Sequence, residues 1–320
     1  MQRIIVTSIG ILLTIGLSAQ TFTEWQQRAK QGDVKAMHQM GRFYYFGDSI
    51  QQNYKEAVRW YTIAADKGYP NSQNNLALCY LYGDGVPVNI EKAMQLLYLA
   101  AAQDLPNAMH ILANIFGNKD NIVYNPDSCF YWDKRAADLE YIYSQYQLSL
   151  YYENGFGTEL NEEQAFNWAL KAAQKGYVEA EERVVHLYID GKGIEKDDEA
   201  LLYWLQLAAS HGRLFCITYL GICYQRGALT LPMDKTKAFK FFKQAAEQEY
   251  AWGQYELAVC YQYGRGCLQD KTLARYWYEQ AAAQGFETAV QALQEISMGI
   301  NPIELRYKNE QYRQWFETYK

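Results

Sequence analysis

The chain has 320 residues, 16% of them aromatic, with 29 Tyr and 8 Trp against only 6 Pro, a composition that packs and that excludes an intrinsically disordered chain. Its formal net charge is −6 and it contains no run of Lys and Arg, which argues against a nucleic-acid partner.

The first element reads as a processing signal rather than as fold. Arg3 supplies a positive start, Ile4 to Leu17 is an uncharged, mostly apolar run of 14 residues, and Leu17-Ser18-Ala19 offers a small residue for cleavage before Gln20. That run falls short of the roughly 20 apolar residues that cross ~30 Å of hydrocarbon, so a secretory signal over residues 1–19 is favoured over a permanent anchor. No Cys lies near the cleavage point, which leaves lipoprotein attachment unsupported. No later segment is apolar enough to span a bilayer, so the expectation is an exported chain, periplasmic or secreted, with no membrane insertion after signal removal.

Thr23 to Lys30 reads as a lone helix, with Ala29 in register with Ala65 further on. A unit then recurs. An Asn or Asp stands at 53, 89, 125, 161, 197, 234 and 270, at spacings of 36 with a single 37. Seven residues after each comes a large apolar residue: Trp60, Leu96, Trp132, Trp168, Trp204, Phe241 and Trp277. Eleven and twelve residues after each comes an Ala-Ala pair, from Ala64-Ala65 to Ala281-Ala282.

Asn and Asp are favoured N-caps because the side-chain oxygen accepts from the orphan N–H groups of the first helical turn. The positions four, seven, eight and eleven beyond the cap form one helical stripe, in the last unit Ala274, Trp277, Tyr278 and Ala281. Gly68, Gly176, Gly212 and Gly285 follow as helix terminators suited to the left-handed conformation. Asp104, Glu140 and Glu249 hold that place in three repeats, which predicts turns of a different shape there.

The other half of each unit is a helix preceding the cap, with one face formed by residues such as Ser72, Leu76-Ala77 and Tyr80. Between the helices lie Gly-x-Gly loops at Gly83 to Gly85, Gly155 to Gly157, Gly191 to Gly193 and Gly264 to Gly266. Their recurrence at the repeat period makes them turns rather than phosphate loops. After Ala289 and Leu293, Asn301-Pro302-Ile303-Glu304 reads as an N-cap, Pro at the first helical position and a capping-box acid. The helix it opens, to about Tyr319, carries Tyr307, Phe316 and Tyr319 on one side. Covering the last repeat and docking a partner both fit it.

On Tyr80-x-x-Gly83-x-Gly85-Val86, Asn89, Lys92-Ala93, Ala100-Ala101 and the pairs Trp60-Tyr61 and Trp277-Tyr278, the chain resembles the Sel1-like repeat family, relatives of the tetratricopeptide repeats, over roughly residues 22–297. The resemblance implies an all-α fold: a right-handed α-solenoid of about seven 36-residue helix–turn–helix Sel1-like repeats with terminal capping helices. The divisions expected are a signal peptide at 1–19, the solenoid at 20–298 and a C-terminal capping helix at 299–320. Three repeats depart in their loops: Ser49 replaces the second Gly in the first, Asn118 to Tyr124 has no Gly pair in the third, and the sixth has an insertion at Ala228 to Met233.

Cys79, Cys223 and Cys260 share a repeat position that elsewhere holds Phe43, Ile115, Tyr151 or Leu187, which marks it as packing. The Helicobacter cysteine-rich branch carries paired cysteines at the second Ala and seven residues on; here only Cys216 occupies one of those sites, opposite Ala209, so that disulfide ladder is not expected. Cys216 and Cys223, two helical turns apart at about 10 Å, are too distant to bridge, whereas Cys260 and Cys267 stand either side of a loop and their pairing stays open. His38, His110, His186 and His211 show no metal-ligand spacing, and no acyl-nucleophile motif occurs. No catalytic residue, cofactor or metal is therefore expected.

The first helix of each unit faces inward in tetratricopeptide-like folds. Register places Lys35, His38, Arg42 and Tyr45 there in repeat one, Asn107, His110 and Asn114 in repeat three, and Tyr143, Tyr146 and Glu153 in repeat four. Repeat five contributes Glu179, Glu182, His186 and Asp190, and repeat seven Trp252, Tyr255, Val259 and Tyr263. The predicted groove runs from basic, through polar and acidic, to aromatic, with Trp252 and Tyr255 as its exposed anchor. The resemblance implies a non-enzymatic interaction scaffold or adaptor of the cell envelope, binding an extended segment or loop of a protein or peptide partner on its concave face. The alternative it carries is the β-lactam-binding or hydrolysing activity associated with the cysteine-rich branch.

Overall fold

The computed structural model describes residues 15–298, with side chains from residue 22 onward. Sixteen α-helices and no strand occur among the described residues. They fall into two compact units divided after Asn161. The first holds α1 (Ile15–Lys30), α2 (Val34–Phe46), α3 (Tyr54–Asp66), α4 (Pro70–Tyr82), α5 (Ile90–Ala101), α6 (Pro106–Gly117), α7 (Pro126–Asp138) and α8 (Ile142–Asn154). The second holds α9 (Glu162–Gln174), α10 (Val178–Asp190), α11 (Asp198–Ser210), α12 (Leu214–Arg226), α13 (Lys235–Glu247), α14 (Ala251–Tyr263), α15 (Lys271–Ala283) and α16 (Glu287–Ser297). Within each unit every helix packs on the next.

α1 covers the predicted lone helix, buries Ala29, and starts upstream of the predicted cleavage point. The rest of the signal and the helix read from Asn301 lie outside the described residues. The caps form as the sequence dictates. Asn53, Asn89, Asn125, Asp197, Asp234 and Asp270 each accept a backbone N–H from the third helical residue at 2.9–3.1 Å. Each such cap is worth about 1 kcal/mol. Every Ala of the seven pairs is buried except Ala282, which is half-buried, and the small methyls let neighbouring helices approach. The innermost position is one residue beyond the recurring large residue: Tyr61, Leu97, Ala169, Leu205, Phe242 and Tyr278 are all fully enclosed, as is Asp133 in repeat three.

The turns at Asp104, Glu140 and Glu249 do not differ from their glycine counterparts. Their φ angles of 57°, 65° and 59° are left-handed, like the 80–83° of Gly68, Gly176, Gly212 and Gly285. A Cβ added at any of those four glycines meets nothing within 4 Å, so a side chain fits and bears only the backbone strain. The loop glycines answer to a second constraint besides φ. A Cβ on Gly85 would stand 2.6 Å from the carbonyl of Tyr54, and Gly157, Gly193 and Gly266 press on the backbone of Pro126, Glu162 and Lys235 in the same way. Each loop therefore rests on the first turn of the helix that follows the cap in the preceding repeat, a contact that only glycine allows.

A buried polar tie also recurs. Gln73, Gln145 and Gln254 donate from Nε2 to the carbonyls of Ala65, Ala137 and Ala246 at 3.3–3.5 Å, joining one helix pair to the next. Gln103 and Gln284 in turn donate to Gln73 and Gln254 at 3.0 and 2.9 Å. In repeat five a His–carboxylate contact takes the place of the tie, with His211 Nδ1 2.7 Å from the buried Glu181.

Candidate interaction surface

In the first unit the predicted inward residues separate into solvated and packed ones. Lys35 and Arg42 on α2 are exposed, and the Arg42 guanidinium lies 5.9 Å from the Phe46 ring. His38 is half-buried between Tyr61 and Tyr69, its Nδ1 2.9 Å from Ser72 Oγ. Burial, with the nearby Arg42 charge adding to it, lowers its pKa to about 4, so His38 is neutral near pH 7 and the positive character here belongs to Lys35 and Arg42. Tyr45 donates to Asp84 at 2.7 Å. On α8, Tyr143 is 49% exposed and packs on His110 and Tyr141, while Tyr146 is half-buried.

Beneath them lies a polar network that the repeat pattern does not announce. Asp133 is fully enclosed and receives Ser144 Oγ at 2.5 Å, Tyr151 OH at 2.8 Å and His110 Nδ1 at 2.7 Å. The Tyr151 hydroxyl is also 3.2 Å from Cys129 Sγ. Ser, His and Asp thus meet, but in an order unsuited to nucleophilic catalysis. A base-activated Ser gives its proton to one imidazole nitrogen while the acid holds the other. Here Ser144 donates to the acid itself, and the same Nδ1 of His110 faces both partners.

In the second unit, Glu179 and Glu182 are drawn together by Arg213. Its guanidinium sits 3.8 Å from Glu179, its Nε donates to Glu182 at 2.7 Å, and its Nη2 makes a still shorter contact to the same carboxylate. The predicted acidic stretch is partly neutralised by that pairing. His186 packs on Phe215 at 4.1 Å in a tilted arrangement, and Phe215 packs on Trp252 at 5.5 Å and stacks on Tyr219 at 5.8 Å. Burial lowers the His186 pKa. Phe215 is missing from the predicted lining although its register is undisturbed, since the insertion at Ala228 to Met233 follows it; counted three residues past Gly212, it matches Glu179 past Gly176.

The exposed aromatic anchor needs correction. Tyr255 is 4% exposed and sits in the core with Tyr278, Ala281 and Phe286, while Trp252 is half-buried and packs against that core and against Phe242 and Ala246. Val259 is buried as well. The cause is α14's position between α13 and α15, which encloses its residues from Gly253 to Cys260. Tyr263 stays half-exposed beneath Arg265, 5.4 Å from its ring centre. The aromatic surface left on the inward rows of this unit is therefore Phe215 and Trp252 with His186, and Tyr263 beside Arg265.

All six cysteines are free thiols, and every one but Cys267 is buried. Burial raises Cys79 and Cys223 to about 12 and Cys129 to about 11, so these thiols are packing groups rather than nucleophiles. No cluster of three potential metal ligands occurs among the described residues. None of the described helices is long and apolar enough to cross a membrane.

The Sel1 repeat profile matches residues 34–69, 70–105, 106–141, 142–177, 186–212, 215–250 and 253–286. Among solved structures, the chain is similar to c5321, a protective antigen present in uropathogenic Escherichia coli strains and displaying an SLR fold. Identity is 27%, the TM-score 0.82, and coverage 93% of this chain and 63% of that one. A Sel1 repeat protein from Oxalobacter formigenes matches with 31% identity and a TM-score of 0.64, over 87% of this chain and 80% of that one. The ERAD-associated E3 ubiquitin-protein ligase component HRD3A of Arabidopsis thaliana is 34% identical over 62 residues, 19% of this chain and 9% of its own length. Sel1 repeats mediate protein–protein interaction, and with seven of them covering most of its length the chain belongs to the Sel1 repeat family.

Proposed function

We propose that this chain is an exported, non-enzymatic scaffold of the cell envelope that binds an extended segment or loop of a partner protein along its first helices. The observation that carries this reading is the surface of those helices. Exposed Tyr143 with His110 in one unit, and Phe215, Trp252 and His186 in the other, present rings whose backs are fixed by packing. Fixed aromatic side chains lose little entropy on binding and supply large contact areas, which is why such residues dominate binding hot spots. The relation to a component of a ubiquitin-ligase assembly supports the scaffold class without naming a partner.

The test is photo-crosslinking from a reactive amino acid placed at Tyr143 and at Trp252 in the native host, with the adduct identified by mass spectrometry. A single partner captured at either position supports the reading; no adduct at both overturns it. Fractionation with N-terminal sequencing tests export, the expected mature start being Gln20. For the β-lactam alternative, the buried thiols and the arrangement of Ser144 offer no support, and the expected turnover of a chromogenic β-lactam by purified protein is none.

A further inference from the structure

Departures from the repeat pattern gather at one place. Four residues beyond the cap, other repeats carry Ala or Leu, whereas repeat three carries Cys129. Eight beyond it, apolar core residues give way to Asp133. At the twelfth residue of the first helix, Tyr45, Leu81, Glu153, Ile189, Gln225 and Gln262 are matched by Gly117, and the loop that follows lacks the Gly pair. The missing side chain at Gly117 leaves room beside Cys129, whose Sγ would lie 2.9 Å from a Cβ there. The result is a cavity of about 430 Å³ between α6 and α8, within the size range of ligand cavities.

Four carboxamides line it, those of Asn114, Asn118, Gln147 and Asn154, beside Tyr151 and Phe156, and no charged side chain does. Asn114 and Gln147 make no side-chain hydrogen bond among the described residues. Asn118 commits its oxygen to the Asp120 N–H, and Asn154 its Nδ2 to the Leu150 carbonyl. Each group thus keeps a donor, an acceptor or both. Asn118 and Asn154 occupy equivalent positions of consecutive repeats, so the amides follow the direction in which the repeats stack.

The geometry points to a subsite that grips the main chain of an extended, uncharged peptide segment, a partner chemistry that rests on the scaffold reading above. A peptide unit offers one N–H and one C=O, the complement of a carboxamide, and successive units recur along a line as these side chains do. A sugar would call for an open ring face. Here the Tyr151 and Phe156 rings pack on each other at 5.2 Å, and the Tyr151 hydroxyl is held by Asp133. The buried network fixes that wall of the cavity before any ligand arrives, which lowers the entropy lost on binding.

The test starts with selection of binders from a random twelve-residue peptide library on the full chain. The best peptide is then synthesised, and its affinity is measured by fluorescence anisotropy. The expected binder has an uncharged centre and little salt dependence. Asn114→Ala and Asn154→Ala should each weaken it about fivefold to tenfold. Replacing single peptide amides by esters at the centre should weaken it comparably, while conservative side-chain changes there do little. Both Asn residues are exposed, so the variants should keep the wild-type melting curve. Binding that survives both variants but is lost in Trp252→Ala overturns this subsite and leaves the scaffold reading standing. Selection without any binder overturns the subsite. A glycan-array ligand that depends on Asn114 and Asn154, in place of a peptide, overturns the peptide assignment.

Discussion

Gly68 and Gly85 share a backbone conformation, with φ of 81° and 78°, but differ in surroundings, so changing each to Ala separates two costs that usually come together. The left-handed conformation costs an L-residue about 1–2 kcal/mol. Loss of glycine's freedom in the unfolded chain returns about 0.4–1 kcal/mol. For Gly68→Ala, where nothing lies within 4 Å of the new methyl, the net should be a loss of about 1 kcal/mol. At Gly85 the methyl meets the carbonyl carbon and oxygen of Tyr54, both at 2.6 Å, and the amide nitrogen of Lys55 at 2.9 Å. Backbone cannot turn aside as a flexible side chain would, so the loop has to lift from α3, and overpacking of this kind adds about 1–3 kcal/mol. The total expected for Gly85→Ala is about 2–4 kcal/mol. Urea denaturation followed by circular dichroism measures both, with the slope compared because stacked repeats depart readily from two-state unfolding. Equal losses for the two variants would refute the claim that loops rest on the preceding repeat through these glycines.

Three further outcomes follow from the same contacts. Glu249→Gly should raise stability by about 0.5–1 kcal/mol, because it relieves a left-handed φ of 59° without removing a cap or a core contact, read as a rise in urea midpoint. His38 has a folded pKa of about 4 against 6.5 for the free side chain, so between those values the unfolded chain takes up a proton that the folded one refuses. Its contribution is complete above pH 6.5, falls as the pH drops toward 4 and is constant below. Full conversion would give about 3 kcal/mol, which solvent at the half-buried ring reduces to about 1–2, and a His38→Gln variant should show a correspondingly shallower loss on acidification. Tyr255→Ala should behave as a core truncation, lowering stability by about 3–5 kcal/mol, whereas an effect on partner binding with an unchanged melt would restore it to the surface.

What the sequence made legible is what each repeat settles locally. An Asn or Asp cap needs only the first turn of its own helix, and an Ala pair eleven residues on needs only helical spacing, so both are visible one repeat at a time. The parts that stayed hidden depend on which neighbour a side chain meets. Gln73, Gln145 and Gln254 look like surface residues until the carbonyl eight residues earlier is known to lie against them. Tyr255 and Val259 stand one turn apart on an inward row, yet enclosure by adjoining helices turns that row into core. Their apolar character was itself the signal, because a solvated lining has no reason to place Val beside Tyr. Asp133 illustrates the same point most fully. It stands in the row of Tyr61, Leu97, Leu205, Phe242 and Tyr278, and a carboxyl in such a place is tolerable only if donors converge on it. The donors come from residues 11, 18 and 23 positions away, Ser144, Tyr151 and His110, none of which departs from pattern enough to attract notice alone. A register written out repeat by repeat exposes the break at once. Where a polar residue replaces an invariably apolar one in a stacked array, the search for function belongs beside it, since a stack maintained for stability alone would have kept the apolar residue.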